Sequence, residues 1–255
     1  MYAEERQLAM AELVTRRGRV SVNELAEQFQ VTTETVRRDL SLLESRRLLR
    51  RVHGGALPAD SFTVLEQMLS DRDVEHTDEK RVIAAAALAF APPSGATLII
   101  DAGSTTARLA ELLPHDGHFT IFTHAVPVAA RLADLPHVEL HLLPGRVRRH
   151  THAAVGVETV EALRHIRADL AFIGTNGLTV THGLSTPDVV EAAVKSAIVA
   201  SAQRVIVLAD SSKIGQERTV RFAELADVDV FVTDSGITPA QTAELEQAGL
   251  EVVVA

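Results

Sequence analysis

Three short segments gather hydroxyls, backbone freedom and charge where an anion could be held. Asp101-Ala-Gly103-Ser104-Thr105-Thr106 follows the apolar run Thr97-Ile100 and opens a helical stretch. Gly lets the backbone come close, Ser and Thr hydroxyls donate, and a helix start presents unpaired amides, which together suit a phosphate. The same residues would also serve as a capped helix start with nothing bound. Gly174-Thr175-Asn176-Gly177 follows Leu170-Ile173, and Ala209-Asp210-Ser211-Ser212-Lys213 follows Val205-Leu208. Of twenty-five basic residues only Lys80, Lys195 and Lys213 are Lys. A compact three-donor ammonium at the end of a strand, in a chain that otherwise uses Arg, reads Lys213 as a contact to an anion or hydroxyl. Lys195 reads either as part of that site or as an ordinary pair with Glu191 one helical turn earlier. No Walker loop and no Gly-x-Gly-x-x-Gly occurs, so a nucleotide cradle of either kind is not expected.

A second concentration of charge is basic. Arg46 to Gly55 holds four Arg and His53 with no acid, and residues 1–57 carry ten Arg against eight carboxylates, whereas the whole chain has net charge −9. Contact with nucleic acid would therefore have to be local. The elements that position these arginines are legible. Leu8, Leu13 and Val14 repeat along a helix from Ala3 to Arg17. Ser21-Val-Asn-Glu24 is a capping box for a second helix, Val22 to Phe29, expected to bury Leu25, Ala26 and Phe29, with Val20 and Leu25 as its staple. Thr32 caps a third helix to about Ser45, with Val36, Leu40 and Leu43 inward and Thr33, Glu34, Arg37, Arg38 and Ser41 outward. A short helix, a tight turn and a longer helix with arginines outward make a helix-turn-helix. Without a ligand, the same pattern is a small bundle with Glu34 and Arg38 paired. Leu48 to Leu57 then reads as a hairpin turning at Gly54-Gly55, a basic wing. Candidate DNA contacts are Thr33, Thr35, Arg37, Arg38, Ser41, Arg50, Arg51 and His53.

From residue 79 short β-rich runs alternate with helical stretches, which predicts an α/β domain with a mostly parallel sheet covered on both faces. In such sheets ligands sit beyond the carboxyl ends of the strands, where the three polar segments lie. Residues 58–78 read as a linker with a short helix near Val64 to Leu69, dividing the chain into 1–57, 58–78 and 79–255. The absence of Cys removes disulfides, thiolate catalysis and the usual zinc sites. The eleven His offer His150-Thr-His152, in an Arg-rich loop, and His137 with His141, too far apart along a strand for one ion, so neither metal nor cofactor is expected. Val82 to Ile100 is uncharged, but Pro92-Pro93-Ser94-Gly95 divides it below the roughly 20 residues of a membrane span. The start Met-Tyr-Ala-Glu-Glu-Arg-Gln has no apolar stretch behind it, so no signal peptide and a cytoplasmic location are expected.

Glu5-Arg6-Gln7, Leu25-Ala26-Glu27, Val31 to Leu40 with its Thr-x-Arg-Arg-Asp-Leu core, and Arg51-Val-His-Gly-Gly-Ala56 resemble the signature of the DeoR family of bacterial transcriptional regulators. Asp101-Ala-Gly-Ser-Thr-Thr106, Gly183-Leu-Ser-Thr186, Glu191 to Lys195, Ala209 to Lys213 and Thr233-Asp234 resemble the family's effector domain. That resemblance implies a fold similar to ribose-5-phosphate isomerase that binds a phosphorylated sugar without turning it over. It implies an effector site of Asp101, Gly103, Ser104, Thr105, Thr106, Thr123, His124, Gly174, Asn176, Lys195, Asp210 and Lys213. The chain departs from the pattern at Arg46-Arg47-Leu48, where Gly usually precedes Leu, leaving open a longer recognition helix or a displaced wing. It departs again at Phe122-Thr123-His124, where Val-Thr-Asn is usual, and at Pro144-Gly145-Arg146, where Gly-Gly is common. Met1-Tyr-Ala-Glu-Glu-Arg6, Phe172 to Thr179 and His182 to Thr186 look most like actinobacterial fructose-operon repressors, implying fructose 1-phosphate as inducer. The resulting expectation is a repressor, homodimeric or higher, that partners operator DNA and a phosphorylated sugar effector. The alternative is a sugar-phosphate isomerase or deaminase-like enzyme with an N-terminal helical appendage, in which Asp210 and Lys213 would serve acid–base chemistry.

Overall fold

The structure, a computed structural model, describes residues 3–17, 20–46, 48–52, 54–58, 68–115 and 117–255. Contacts divide the chain into two units, 1–65 and 66–255.

The first unit runs α1 (Ala3–Arg17), β1 (Val20–Ser21), α2 (Val22–Phe29), α3 (Thr33–Ser45), β2 (Leu49–Val52) and β3 (Gly55–Pro58). The capping box of α2 is present, with the Glu24 amide donating to Ser21 Oγ and the Ser21 amide to Glu24 Oε2. Thr32 caps α3 by accepting from the Thr35 amide. Met10, Leu13, Val14, Leu25, Val36, Leu40 and Leu43 form its core. One expectation fails. Leu8 is 63% exposed and Met10 takes the inward position, because two residues of helix turn about 200° and put Leu8 opposite Met10. In α2, Val22 rather than Ala26 or Phe29 joins Leu25 among the buried residues. The hairpin β2–β3 is joined by β1 in the antiparallel order β1-β3-β2. Gly54 turns it at φ +77°, and a Cβ on Gly55 would lie 2.2 Å from the Val20 carbonyl oxygen, so the second glycine is what lets β1 lie against the wing. α3 ends at Ser45, so the Arg46-Arg47 departure does not lengthen it.

The second unit runs α4 (Leu69–Val74), α5 (Thr77–Ala87), β4 (Thr97–Ile100), α6 (Ser104–Glu111), β5 (Phe119–Thr123), α7 (Val126–Leu132), β6 (Val138–Leu142), β7 (Arg146–Val147), β8 (Ala154–Val155), α8 (Val157–Arg164), β9 (Ala168–Gly174), β10 (Gly177–Thr179), β11 (Gly183–Thr186), α9 (Val189–Ser201), β12 (Ala202–Leu208), β13 (Val220–Ala223), β14 (Val230–Thr233), α10 (Pro239–Gln247) and β15 (Glu251–Val254). Its main sheet has seven strands in the order β15-β14-β12-β9-β4-β5-β6. Every pairing in it is parallel. The apolar runs Leu98–Ile100, Leu170–Ile173 and Val205–Leu208 are buried on both faces, as a sheet clad by helices requires. The chain leaves β4 toward β5 and β6, then returns to β9 on the other side, so β4 and β9 flank a topological switch point.

The antiparallel sheet β10-β11-β13 was not expected from the sequence. The linker reading also needs correction. The short helix begins at Leu69, with Val64 to Gln67 outside the described residues, and residues 66–78 belong to the second unit.

Candidate functional site

Register decides where the polar segments go. Ile100 pairs with Phe172 and Gly174 with Leu208, so the ends of β4, β9 and β12 stand side by side. The turns that follow enclose a cleft of about 400 Å³, open mouth included. One wall is the start of α6, Gly103 to Thr106. Gly103 is the N-cap of that helix and supplies no side-chain cap, so the first-turn amides face the cleft as an anion site would have them. The opposite wall is Gly174, Thr175 and Leu208 to Asp210, with Lys213.

A third wall comes from residues the sequence did not single out for this site. Arg72, Glu75 and Lys80 line the cleft. Burial lowers the Lys80 ammonium to about 8 despite the opposing pull of Asp210, and the nearby cations Arg72, Lys213 and Arg108 add to the lowering. Lys213 is lowered as well, first by burial, with Asp210 opposing and Arg72 and Arg218 reinforcing. Asp210 goes the other way: burial pushes its carboxyl up, but Lys213 and the Ser212 hydroxyl outweigh it and hold it below the usual carboxylate range. The cleft thus combines cations, hydroxyls and free amides with two carboxylates, Glu75 and Asp210, a set that fits an anionic, hydroxyl-bearing small molecule.

Behind this wall lies a buried network. Asp101 is fully buried and accepts from Lys195 Nζ at 2.5 Å and from the Gly174 amide at 2.9 Å, with His124 Nε2, which also accepts from the Ala102 amide, 2.9 Å from its Oδ1. Burial pushes the Asp101 carboxyl up, and Lys195 and His124 more than reverse it, holding it far below the usual range. The His124 Nδ1 donates to the Ala154 carbonyl at 2.9 Å. A ring thus spans from Asp101 to β8, a reach beyond the shorter side chain of the usual Asn.

In the first unit, Arg37 and Arg38 are exposed on α3. Glu34 pairs with Arg37 at 3.6 Å rather than with Arg38. Arg50 and Arg51 follow one another along β2 and so point to opposite faces. Arg51 is the one on the α3 side: its guanidinium donates to Ser41 Oγ at 2.6 Å and its amide to Glu44 Oε1 at 2.8 Å. Asp39, inside the Arg-Arg-Asp-Leu motif, is buried and accepts from Arg6 Nε and Gln7 Nε2, each at 2.7 Å.

The DeoR-like helix-turn-helix domain matches residues 6–62, and the DeoR C terminal sensor domain matches residues 75–235. The chain belongs to the DeoR family of transcriptional regulators. It is 36% identical to the HTH-type transcriptional regulator GlpR of Haloferax volcanii, over 99% of this chain and 98% of that one. It is 32% identical to the glycerol-3-phosphate regulon repressor of Escherichia coli K12, over 91% and 90%, and 31% identical to the regulator FruR of Bacillus subtilis, over 92% of each. Ribose 5-phosphate isomerase A of Methanocaldococcus jannaschii matches 55% of each chain at 16% identity and a TM-score of 0.41. The relatives are named as regulators, a non-enzymatic role.

Of the residues expected at its effector site, this DeoR-family regulator brings Gly103, Ser104, Thr105, Thr106, Gly174, Asp210 and Lys213 to the cleft. Asp101, Thr123, His124, Asn176 and Lys195 are not on its lining. Thr123 Oγ1 donates to the Ile100 carbonyl at 2.7 Å and accepts from the Ala125 amide. Asn176 offers its carbonyl to Arg218 Nε at 3.1 Å. Lys195 serves Asp101, and its expected partner Glu191 is instead bonded to Arg148 at 3.1 Å, so the plain surface pair does not exist. Among the expected DNA contacts, Thr33 and Thr35 are half-buried at the start of α3, and Thr35 Oγ1 lies 2.9 Å from Thr32 Oγ1. His53 lies outside the described residues. Among the described residues no group of three or more His, Asp or Glu is placed to hold a metal, and no helix is long and apolar enough to cross a membrane.

Proposed function

We propose that this regulator is a cytoplasmic repressor of a sugar-utilisation operon, released from operator DNA when a phosphorylated sugar, fructose 1-phosphate in the first instance, enters the cleft at the ends of β4, β9 and β12. The observation that carries the reading is the uncapped start of α6 facing Lys213, Lys80 and Arg72 across one cleft. The phosphate would take the Ser104 to Thr106 amides and the Ser104 and Thr105 hydroxyls with charge-assisted bonds from the lysines, and the sugar hydroxyls would reach Asp210. Only a ligand that binds the DNA-incompetent state more tightly can shift the population. A phosphate supplies contacts that the free sugar lacks. The relatives named for glycerol 3-phosphate regulons share the phosphate, not the sugar, and the preference for fructose 1-phosphate rests on the resemblance of Phe172 to Thr186. A homodimer or higher oligomer would present two recognition helices to a palindromic operator.

The test is a thermal-shift and operator-release titration with fructose 1-phosphate, glycerol 3-phosphate, other sugar phosphates and fructose. A ligand at 100 times its dissociation constant should add about 2.7 kcal/mol of stability. Fructose 1-phosphate should stabilise and release, and fructose should do neither. Lys213→Ala and Thr105→Val should each bind operator and no longer respond. The affinity should rise with pH through the second ionisation of the phosphate near ~6. It should fall again above about 8, where unliganded Lys80 loses its proton and binding must restore it. Release by fructose at the same concentration as its phosphate would sink the reading.

On the DNA side, Arg37→Ala or Arg38→Ala should weaken operator binding by about 1–3 kcal/mol. Arg51→Ala should reduce the slope of log affinity against log salt by about one, with sequence preference unchanged. Arg50→Ala, on the other face of β2, should change the slope less; equal effects would mean that the wing is not read through its α3 side.

A further inference from the structure

α4 is six residues long and buries none of them. A helix that short has little stability of its own in water. Its start is tied by the Leu69 amide, which donates to the His150 carbonyl at 2.7 Å; its carboxyl end is held by side chains. Lys80 Nζ donates to the carbonyls of Arg72 and Glu75. Thr77 Oγ1 lies 3.1 Å from the carbonyls of Asp73 and Val74. Arg108 donates to the Asp73 carboxylate at 2.6 Å and to the Asp73 carbonyl at 2.8 Å. These are the carbonyls a helix end leaves without partners. One of the donors lines the cleft and a second bonds a residue of its wall. Lys80 lines it, and Arg108 also donates to the carbonyl of Ser104, the first residue of α6, at 2.8 Å.

A protonated lysine has three N–H groups, and α4 takes two of those on Lys80. α4 itself starts four residues after Leu65, where the first unit ends.

We propose that an anionic ligand in the cleft takes the third donor of Lys80 and thereby fastens α4, so that the helix beside the unit boundary reports whether the cleft is occupied. This rests on the effector reading above and adds the route by which occupancy leaves the site. The ligand does not compete with the two α4 carbonyls, since each N–H serves one acceptor. It adds a charge-assisted bond that fixes the ammonium in place from the cleft side, so the two carbonyls it already holds have less room to move. The helix therefore tightens. It has no apolar anchor to hold it in place when these ties change, which is what makes it responsive.

Hydrogen exchange read by mass spectrometry on the full chain tests this, with fructose 1-phosphate and inorganic phosphate as probes. Exchange across residues 69–75 should slow by about tenfold or more on saturation with fructose 1-phosphate, together with exchange across 103–107. Lys80→Met at saturating ligand should keep the protection at 103–107 and lose it at 69–75. Protection at 103–107 with unchanged exchange at 69–75 in the wild type would overturn the coupling and leave the effector reading standing. Protection at neither segment with either probe would overturn both. Wild-type-like protection of 69–75 in Lys80→Met would remove Lys80 from the route. The wild-type comparison needs no variant, so a poorly folding Lys80→Met does not shield the proposal.

Discussion

Replacing Lys195 with Met is expected to lower the unfolding free energy of the α/β unit by about 3–5 kcal/mol, because it strands a buried carboxylate without its principal cation. Asp101 has no exposed surface, and its ionised state is held by Lys195, His124 and the Gly174 amide. Asp101→Asn in the same background should recover part of the loss, since the amide needs no counter-charge, and the double variant should be more stable than the two single effects summed. Urea denaturation of the three variants measures this. A loss under about 1 kcal/mol for Lys195→Met would mean that the network is hydrated and not a structural pair. The sign with pH follows from the depressed Asp101 carboxyl. Its contribution is fully present above the unfolded value of about 3.9 and is lost as pH falls from there toward the folded value. Acid sensitivity beginning near ~4 in the wild type should be blunted in Asp101→Asn.

Asp39→Ala should abolish operator binding by unfolding the first unit, leaving the ligand response of the second intact. Asp39 is 4% exposed and holds Arg6 and Gln7 of α1 against α3. Breaking a buried pair costs about 3–5 kcal/mol. A unit of this size has little more to spare, at roughly 0.05–0.15 kcal/mol per residue. Loss of α1 to α3 protection in hydrogen exchange, with an unaltered thermal shift by sugar phosphate, is the expected pair of results. Should Asp39→Ala stay folded and weaken DNA binding only as much as Arg38→Ala, the residue would belong to the reading surface.

What was legible in advance was local or periodic. The box Ser21 to Glu24, the inward triplet Val36, Leu40 and Leu43, and the apolar strands Leu98–Ile100 and Val205–Leu208 each state their structure within a few residues. The convergence of Gly103–Thr106, Gly174 and Asp210–Lys213 followed from strand-end logic. What escaped is equally specific. Asp101 and Lys195 are 94 positions apart and meet only because α9 lays Lys195 over the ends of β4 and β9, which no pattern encodes. Arg72 and Glu75 were hidden because α4 buries no apolar residue and so has no periodicity to detect, and their charges looked like those of a solvated linker; Lys80, on α5, was marked only by its rarity as a lysine. Leu8 misled because an apolar residue on α1 was assumed to face inward, while the inward positions beside Met10 were taken by Arg6 and Gln7 for Asp39. Strands as short as β10 and β11 offer too few residues for alternation to register.

The distribution of lysine has a practical consequence. Lys80 and Lys213 line the cleft and Lys195 sits directly behind it on Asp101, whereas the first unit carries arginine alone. Every ε-amine of the protein is therefore gathered in the sensor, and guanidinium groups do not react with acylating or reductively alkylating reagents under the conditions that modify amines. A reagent as unselective as an activated ester becomes, among the side chains of this protein, one that addresses the ligand cleft and not the arginines of the DNA-reading face.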